Sequence, residues 1–331
     1  FAMGNAITQF KWYRYGKVRF TKSGYEAAKR TWSKDQALDL ESVSLAGKRY
    51  MVTGANSGLG KEVAQYLASR QATVYLVCRN QQRGEAAQQA IKTASQNEEV
   101  HLLLGDCGLS TDVQRIAAEY HSRESHLDAL VCNAGLLSHQ RQVTAEKHEL
   151  NFATHVLFGT YALGRILAPT LAKSPGAEGR IIAVSSGGMY QTKLEVDDLQ
   201  NVDYDGVRAY TRTKRAQVSL MERWAADPPN QGAGVTYVSC HPGWADTPGV
   251  DAAIPGFKKW VGDEFRSTWE GAEGIAWLCV VPRSALQSGE FYLDRQVAPK
   301  HLPGISTATP ANVTDGLMSR LQALTQSMGL P

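Results

Sequence analysis

Two side chains in one stretch of this sequence are suited to moving a proton. Tyr210 and Lys214 stand four residues apart in Tyr210-Thr211-Arg212-Thr213-Lys214, a spacing that puts both on one face of a helix. A free tyrosine, with a pKa of about 10, is a poor base at neutral pH. A neighbouring ammonium favours the tyrosinate and brings the group towards a working range. Tyr-x-x-x-Lys is common by chance, so its surroundings decide whether it is a site. Ser185-Ser186 closes one apolar run and Asn133-Ala134-Gly135 closes another. Asn151 lies in the helical stretch that follows, and Pro242-Gly243, then Thr247, come after a third run.

A second chemical signature lies upstream. Thr53-Gly54-Ala55-Asn56-Ser57-Gly58-Leu59-Gly60 leaves a β-branched run and enters a helical pattern at once. Glycines there permit a tight turn and close approach of a pyrophosphate, and the helix N-terminus supplies amide donors. In this strand–turn–helix context, Gly54, Asn56, Ser57, Gly58, Leu59 and Gly60 are predicted to bind a dinucleotide. A site for NAD needs a carboxylate about 20 residues further on, to hold the ribose hydroxyls. Cys78 and Arg79 stand there instead. A carboxylate repels a 2′-phosphate, whereas Arg grips one with paired hydrogen bonds, so the expected cofactor is NADP(H). Arg83 is a candidate second contact. Asp106, beside Cys107 at the end of the third apolar run, is a candidate for the adenine amino group.

The elements that must position these residues follow from periodicity. Runs at 49–53, 73–78, 100–106, 128–132, 180–185 and 235–240 read as strands. Segments 58–70, 81–94, 111–122, 146–171 and 208–226 read as helices, and 290–294 is a plausible last strand. Strand–helix alternation implies an α/β fold, a doubly wound, Rossmann-type parallel sheet with helices on both faces. Ligands bind such sheets at the carboxyl ends of their strands, where the glycine turn, Arg79, Asp106, Asn133–Gly135, Ser186 and Pro242-Gly243 all fall. The expected organisation is one domain over 45–298, an extension over 1–44, and a tail over 299–331 that holds one helix near 312–327.

Composition sets bounds. With 43% hydrophobic and 20% charged residues the chain is an ordinary globular one. No apolar run nears the roughly 18 residues of a membrane span. Five scattered cysteines, none in CxxC spacing, indicate neither a disulfide framework nor a zinc site. They point to buried thiols in a reducing intracellular compartment, cytosolic or organellar. The net charge of +3 conceals an asymmetry, because residues 1–34 hold eight Lys and Arg against the single acid Glu26.

Taken together and in order, Thr-Gly-x-x-x-Gly-x-Gly at 53–60, Asn-Ala-Gly at 133–135, Ser186, Tyr-x-x-x-Lys at 210–214 and Pro-Gly at 242–243 resemble the short-chain dehydrogenase/reductase family, over about residues 45 to 295. Val184–Met189, Glu222–Ala225, His241–Val250 and Thr21–Glu26 resemble the subgroup called dehydrogenase/reductase SDR family member twelve, with retinol dehydrogenases next in style. The resemblance implies that Tyr210 exchanges a proton with the oxygen of a carbonyl or alcohol while hydride moves to or from the nicotinamide. It implies that Lys214 holds the nicotinamide ribose, Ser186 bonds the substrate oxygen, and Asn151 holds a water linking Lys214 to solvent. Asn133, with Ala134 and Gly135, would shape the loop around the cofactor. Pro242, Gly243 and Thr247 would lie near the nicotinamide carboxamide. Ser186 and Tyr210 are 24 residues apart, about twice the common family spacing, and the polar insertion between them is expected to reshape the pocket rim.

Residues 244–270 read as a lid carrying Trp244, Phe257, Trp260, Phe265 and Trp269. Pockets are mostly apolar, so a small lipophilic carbonyl or alcohol is the expected substrate; the competing reading is that these rings pack the lid onto the core. His241 reads as structural. The N-terminal extension interleaves bases with Phe10, Trp12, Tyr13, Tyr15, Phe20, Tyr25 and Trp32, a pattern suited to a peripheral membrane surface or to a protein contact, on this body or another. Nothing else supports a nucleic-acid partner, and none is expected. The alternative to an enzyme is an NADP(H)-binding scaffold or redox-sensing subunit of a larger assembly.

Overall fold

The computed structural model describes residues 3–33, 35, 38–227, 234–305 and 307–331; the side chains of 3–5, 252, 255, 258 and 260, and so the expected lid ring of Trp260, lie outside that description. Two helices come first, α1 (Met3–Arg19) and α2 (Lys22–Lys29). The alternating body then runs β1 (Arg49–Thr53), α3 (Gly58–Ser69), β2 (Thr73–Cys78), α4 (Gln81–Ser95), β3 (Val100–Leu104), α5 (Ser110–Arg123) and β4 (Ala129–Cys132). A long interrupted helix follows. Its first turn is α6 (Leu150–Phe152), its middle, Ala153–Ala162, is wound as a π-helix, and α7 (Leu163–Leu171) ends it. The second half holds β5 (Arg180–Val184), α8 (Gly206–Ala226), β6 (Thr236–Cys240), α9 (Pro248–Ala253), α10 (Pro255–Val261), α11 (Thr268–Val280), β7 (Phe291–Leu293), β8 (Gln296–Val297) and α12 (Ala311–Gln326).

The described strands form one sheet in the order β3-β2-β1-β4-β5-β6-β7-β8. Every pairing is parallel except β7–β8. Strand side chains alternate between two cores, as the pleat requires. Met51, Ile181 and Ala183 join the core under α5, α7, α8 and α12; Tyr50, Val52, Ile182 and Val184 join the core under α3 and α11. The chain order reverses between β1 and β4, which sets the ligand crevice at the carboxyl ends of these strands. All five cysteines are free and buried.

Two expected boundaries are corrected and one strand is added. The strand over 100–106 ends at Leu104, because the Asp112 carboxylate takes the Asp106 amide and turns the chain into α5. The helix over 146–171 starts at Leu150, because Glu149 caps it by accepting from Asn151 N and Phe152 N while Val143 and Glu149 form an antiparallel bridge. Beyond the last expected strand an eighth, β8, folds back on β7.

The extension folds onto the body. Phe20 is fully buried among His241, Trp244 and Tyr190, with ring centroids 4.3, 5.7 and 6.3 Å away. Arg266 lies beneath it at 1% side-chain exposure. Its five guanidinium N–H groups reach Thr21 O, Arg19 O, Pro242 O and both oxygens of Asp294. Gly243, at φ +76, is required there: a Cβ would lie 2.2 Å from Arg266 Nε.

Arg266→Met strands a buried Asp294 carboxylate. The expected cost is about 3–5 kcal/mol, read by urea unfolding, with partial recovery in Arg266→Met/Asp294→Leu. A single variant within 1 kcal/mol of the parent, on the order of a surface change, would contradict the clamp.

Candidate active site

The crevice begins at the glycine loop. Gly54 N bonds Val77 O, and Asn133 Nδ2 donates to Thr53 O at 2.9 Å. Thr53 Oγ1 accepts from Asn133 N and Ala134 N. Asn133 and Ala134 thus clip the loop after β4 to the loop after β1. Gly60 permits the approach, since a Cβ would meet Asn133 Nδ2 at 2.5 Å and Gly54 O at 2.6 Å. Ser57 is the N-cap of α3 yet makes no side-chain cap bond, which leaves amide donors and the positive helix end open to an anion. Thr247, N-cap of α9, faces this loop, its Cβ 3.7 Å from where a Cβ on Gly58 would lie.

Beside the loop runs an open groove of about 420 Å³, lined by Asn56, Ser57, Lys61, Arg83, Ala86, Ala87 and Pro248. Lys61, one turn into α3, escaped the sequence reading; its signal was a base just after Gly58-Leu59-Gly60. Arg79 lies at the end of β2 with 66% of its side chain exposed, its ion-pair contact with Asp106 stretched to 4.0 Å. Asp106 itself accepts from Gly108 N. Cys107 is placed differently from the rest. Its thiol is buried in the core, where desolvation holds its pKa above the usual thiol range, so it is withheld from a ligand.

The candidate proton-moving residues converge where β5 ends. Ser185 is fixed structurally, its hydroxyl donating to Lys214 O at 2.7 Å. Ser186 Oγ accepts from Gly188 N, and its hydroxyl lies near enough to Tyr210 to oppose the effect of burial on that phenol. Lys214 Nζ lies 5.6 Å from the Tyr210 ring centroid, and 3.6 Å from the point a Cβ on Gly135 would occupy. Tyr210 and Lys214 therefore sit against the loop that touches the glycine turn. Asn151 is buried; its Nδ2 donates to Glu149 Oε1 and Tyr204 Oη, while its Oδ1 has no partner among the described residues. Tyr204 comes from the insertion between Ser186 and Tyr210, so that insertion braces Asn151 from outside.

Electrostatics depart from expectation in one respect. Burial raises the Tyr210 pKa, and the Ser186 hydrogen bond only partly opposes this. The chain's own groups thus keep Tyr210 protonated rather than bringing it towards tyrosinate. Burial also lowers Lys214, to about 7, because an ammonium loses hydration there.

Two histidines serve as supports. Leu136 N donates to His155 Nε2, so Nδ1 carries the proton and donates to Thr213 Oγ1, which donates to Tyr210 O. His241 Nδ1 accepts from Gly187 N, in line with its structural reading. The lid rings pack inward: Trp244 and Phe265 are buried with Phe20, Phe257 stands edge-on to both, and Trp269 lies on Tyr66. They are core rather than pocket walls.

A dinucleotide crevice in a doubly wound sheet, with Ser, Tyr and Lys at its mouth, defines a class of protein, and the sequence profile of the short chain dehydrogenases matches residues 48–255. The chain belongs to the short-chain dehydrogenase/reductase family and is an oxidoreductase of the kind that uses NAD(P)(H). It is 40% identical to dehydrogenase/reductase SDR family member 12 of Bos taurus over 95% of this chain and 96% of that one. To retinol dehydrogenase 11 of Homo sapiens it is 30% identical, over 78% of this chain and 80% of that one. A solved short chain dehydrogenase/reductase family protein superposes with TM-score 0.59 at 26% identity, over 76% of this chain and 96% of that one.

The Lys214 shift has a consequence for stability. Its folded pKa of about 7 lies below the ordinary 10.5, so between these values the folded state binds fewer protons and stability rises with pH. Below about 7 the burial penalty on the ammonium is present in full. Lys214→Met is therefore expected to be more stable than the parent in mild acid, with the gap narrowing as pH rises above neutrality. Parallel urea titrations check this; a gap independent of pH would refute it.

Proposed function

We propose that this chain transfers hydride between NADP(H) and a small lipophilic carbonyl or alcohol, with Tyr210 as the proton donor. The observation that carries this is the meeting of Ser186, Tyr210 and Lys214 beside the loop that clips onto Gly54–Gly60. Gly54–Gly60 and the α3 amides would hold the pyrophosphate, and Lys214, Asn133–Gly135, Pro242, Gly243 and Thr247 the nicotinamide end. Arg83 and Lys61 line the groove and Arg79 stands exposed after β2; these cations suit a 2′-phosphate and are what favours NADP(H) over NAD(H). When bound, the cofactor supplies the hydride.

The chain's own residues handle the proton and the charge. Ser186, whose oxygen already accepts from Gly188 N, keeps its hydrogen to donate to the substrate oxygen as charge develops there. Tyr210, held protonated by burial, donates its proton to that oxygen. Lys214 directs its remaining N–H at the ribose and stabilises the tyrosinate left behind. A lipophilic substrate is supported by the likeness to a retinol dehydrogenase, not by the lid rings.

The extension supports a further reading. Along α1, Ile7, Phe10 and Val18 are exposed on one face with Arg14 and Lys17, while Trp12 and Tyr15 turn to the body. A basic, apolar outer face suits contact with an anionic membrane surface or a protein partner. Among the described residues no helix is long and apolar enough to cross a membrane. Phe10→Ser/Arg14→Glu is expected to abolish sedimentation with phosphatidylserine vesicles; if the parent itself stays in the supernatant, the membrane version is wrong.

NADPH consumption against ketones, aldehydes, retinoids and steroids tests the central reading. Tyr210→Phe is expected to lower turnover by about 10²–10⁴-fold with NADPH binding retained. Arg79→Ala should weaken NADPH by roughly tenfold or more and leave NADH unaffected. Tight NADPH binding with no turnover on any substrate would favour the scaffold reading, and absence of binding would end both.

A further inference from the structure

Lys214 is buried, and its ammonium meets two neutral acceptors. Nζ donates to Val184 O at 2.8 Å and to Gln217 Oε1 at 3.0 Å. An ammonium has three N–H donors, so one is left for a ligand. Gln217 is fully buried and fixed from its other end. Its Nε2 donates to His155 O at 3.0 Å and to Thr160 Oγ1 at 3.1 Å, and Thr160 Oγ1 donates to His155 O at 2.6 Å. Both hydrogens of the amide are used, so its oxygen has a single orientation and faces Lys214. The anchor is the π-wound segment, a local winding that recurs at functional sites; here it presents His155 O and Thr160 Oγ1 to α8. A glutamine whose three hydrogen bonds all serve one lysine and one helix distortion has a task that side-chain packing alone does not require.

We propose that Gln217 is a positioning residue: held by Thr160 and the His155 carbonyl, it fixes the Lys214 ammonium towards the cofactor ribose and sets the pH at which that lysine takes up its proton. The proposal rests on the reading of Lys214 as a cofactor-holding residue. The titratable groups facing Lys214 are Tyr210 on its own helix, His155 on the π-wound segment, Cys132 of β4 and Cys240 of β6. None of them is a carboxylate. The compensation for the buried charge therefore comes from the dipoles of Val184 O and Gln217 Oε1, of which only the second can be altered by substitution. Removing that oxygen makes the ammonium harder to form, and replacing it by a carboxylate makes it easier.

The test is NADPH affinity as a function of pH, by fluorescence titration, with near-ultraviolet circular dichroism confirming that each variant is folded. In the parent, affinity should fall as pH rises through about 7 and Lys214 loses its charge. Gln217→Met should move that midpoint down, and Gln217→Glu up, each by about one pH unit, a tenfold change in proton affinity. Thr160→Val, which loosens the amide without removing it, should move the midpoint in the Met direction by less, and it keeps the test decisive should Gln217→Met fail to fold. Titration of the 2′-phosphate contributes equally to all four proteins and cancels in the comparison. Midpoints that coincide among proteins that all bind NADPH overturn the role of Gln217. A parent that binds no NADPH overturns instead the reading of Lys214 on which the proposal stands.

Discussion

A guanidinium removed from water must have all of its N–H donors satisfied, or the surrounding structure pays for the omission with several kcal/mol. Arg266 meets that condition only through three segments distant in sequence. These are the turn between α1 and α2, the Pro242-Gly243 turn after β6, and Asp294 between β7 and β8. Its backbone repeats the link: Arg266 N donates to Trp244 O, and Trp244 N donates to Phe20 O. The carboxyl ends of the last parallel strands therefore cannot be arranged independently of the N-terminal extension. Gly243 follows from the same constraint, since only a residue without a Cβ fits against the guanidinium at that backbone angle.

Burial has a second effect at the mouth of the crevice. It keeps Tyr210 protonated and Lys214 close to losing its proton at neutrality. A tyrosine beside a weakly basic lysine is ready to donate, and each group responds strongly to any charge or hydrogen bond a ligand brings. The supporting network is made of neutral groups: His155 with its proton on Nδ1, Thr213, Thr160 and Gln217. Neutral dipoles orient the two titrating groups without fixing their charge, as a nearby carboxylate would.

Much of the site was legible in one dimension because its parts are local. Gly54–Gly60 needs only a strand before it and a helix after it, and Tyr210 and Lys214 need only one helical turn between them. Asn133-Ala134-Gly135, Ser186 and Pro242-Gly243 each follow a β-branched run, and parallel strands deliver their ends to one edge. Arg79 was readable for the same reason, since it follows a strand directly, and it is largely exposed there. Less was legible where a residue's partner lies far away in sequence. Nothing near Gln217 marks it as a partner of the π-wound segment, nothing near Tyr204 reveals that it braces Asn151, and Lys61 resembles any other helical lysine. The lid rings looked like pocket walls because aromatic content does not say which way a ring turns.

The sequence by itself determined the class of fold, the position of the glycine turn between β1 and α3, and the placement of Tyr210 and Lys214 on one helical face, because backbone period, turn chemistry and helical spacing are short-range properties. Tertiary structure alone decided which of Ser185 and Ser186 faces Tyr210, where the basic, aromatic extension lies, and in which direction Tyr210 and Lys214 shift. Those outcomes depend on burial and on hydrogen-bond partners brought together from more than a hundred residues apart, as Arg19 and Thr21 are with Arg266, and desolvation has no meaning until the chain has closed around the group.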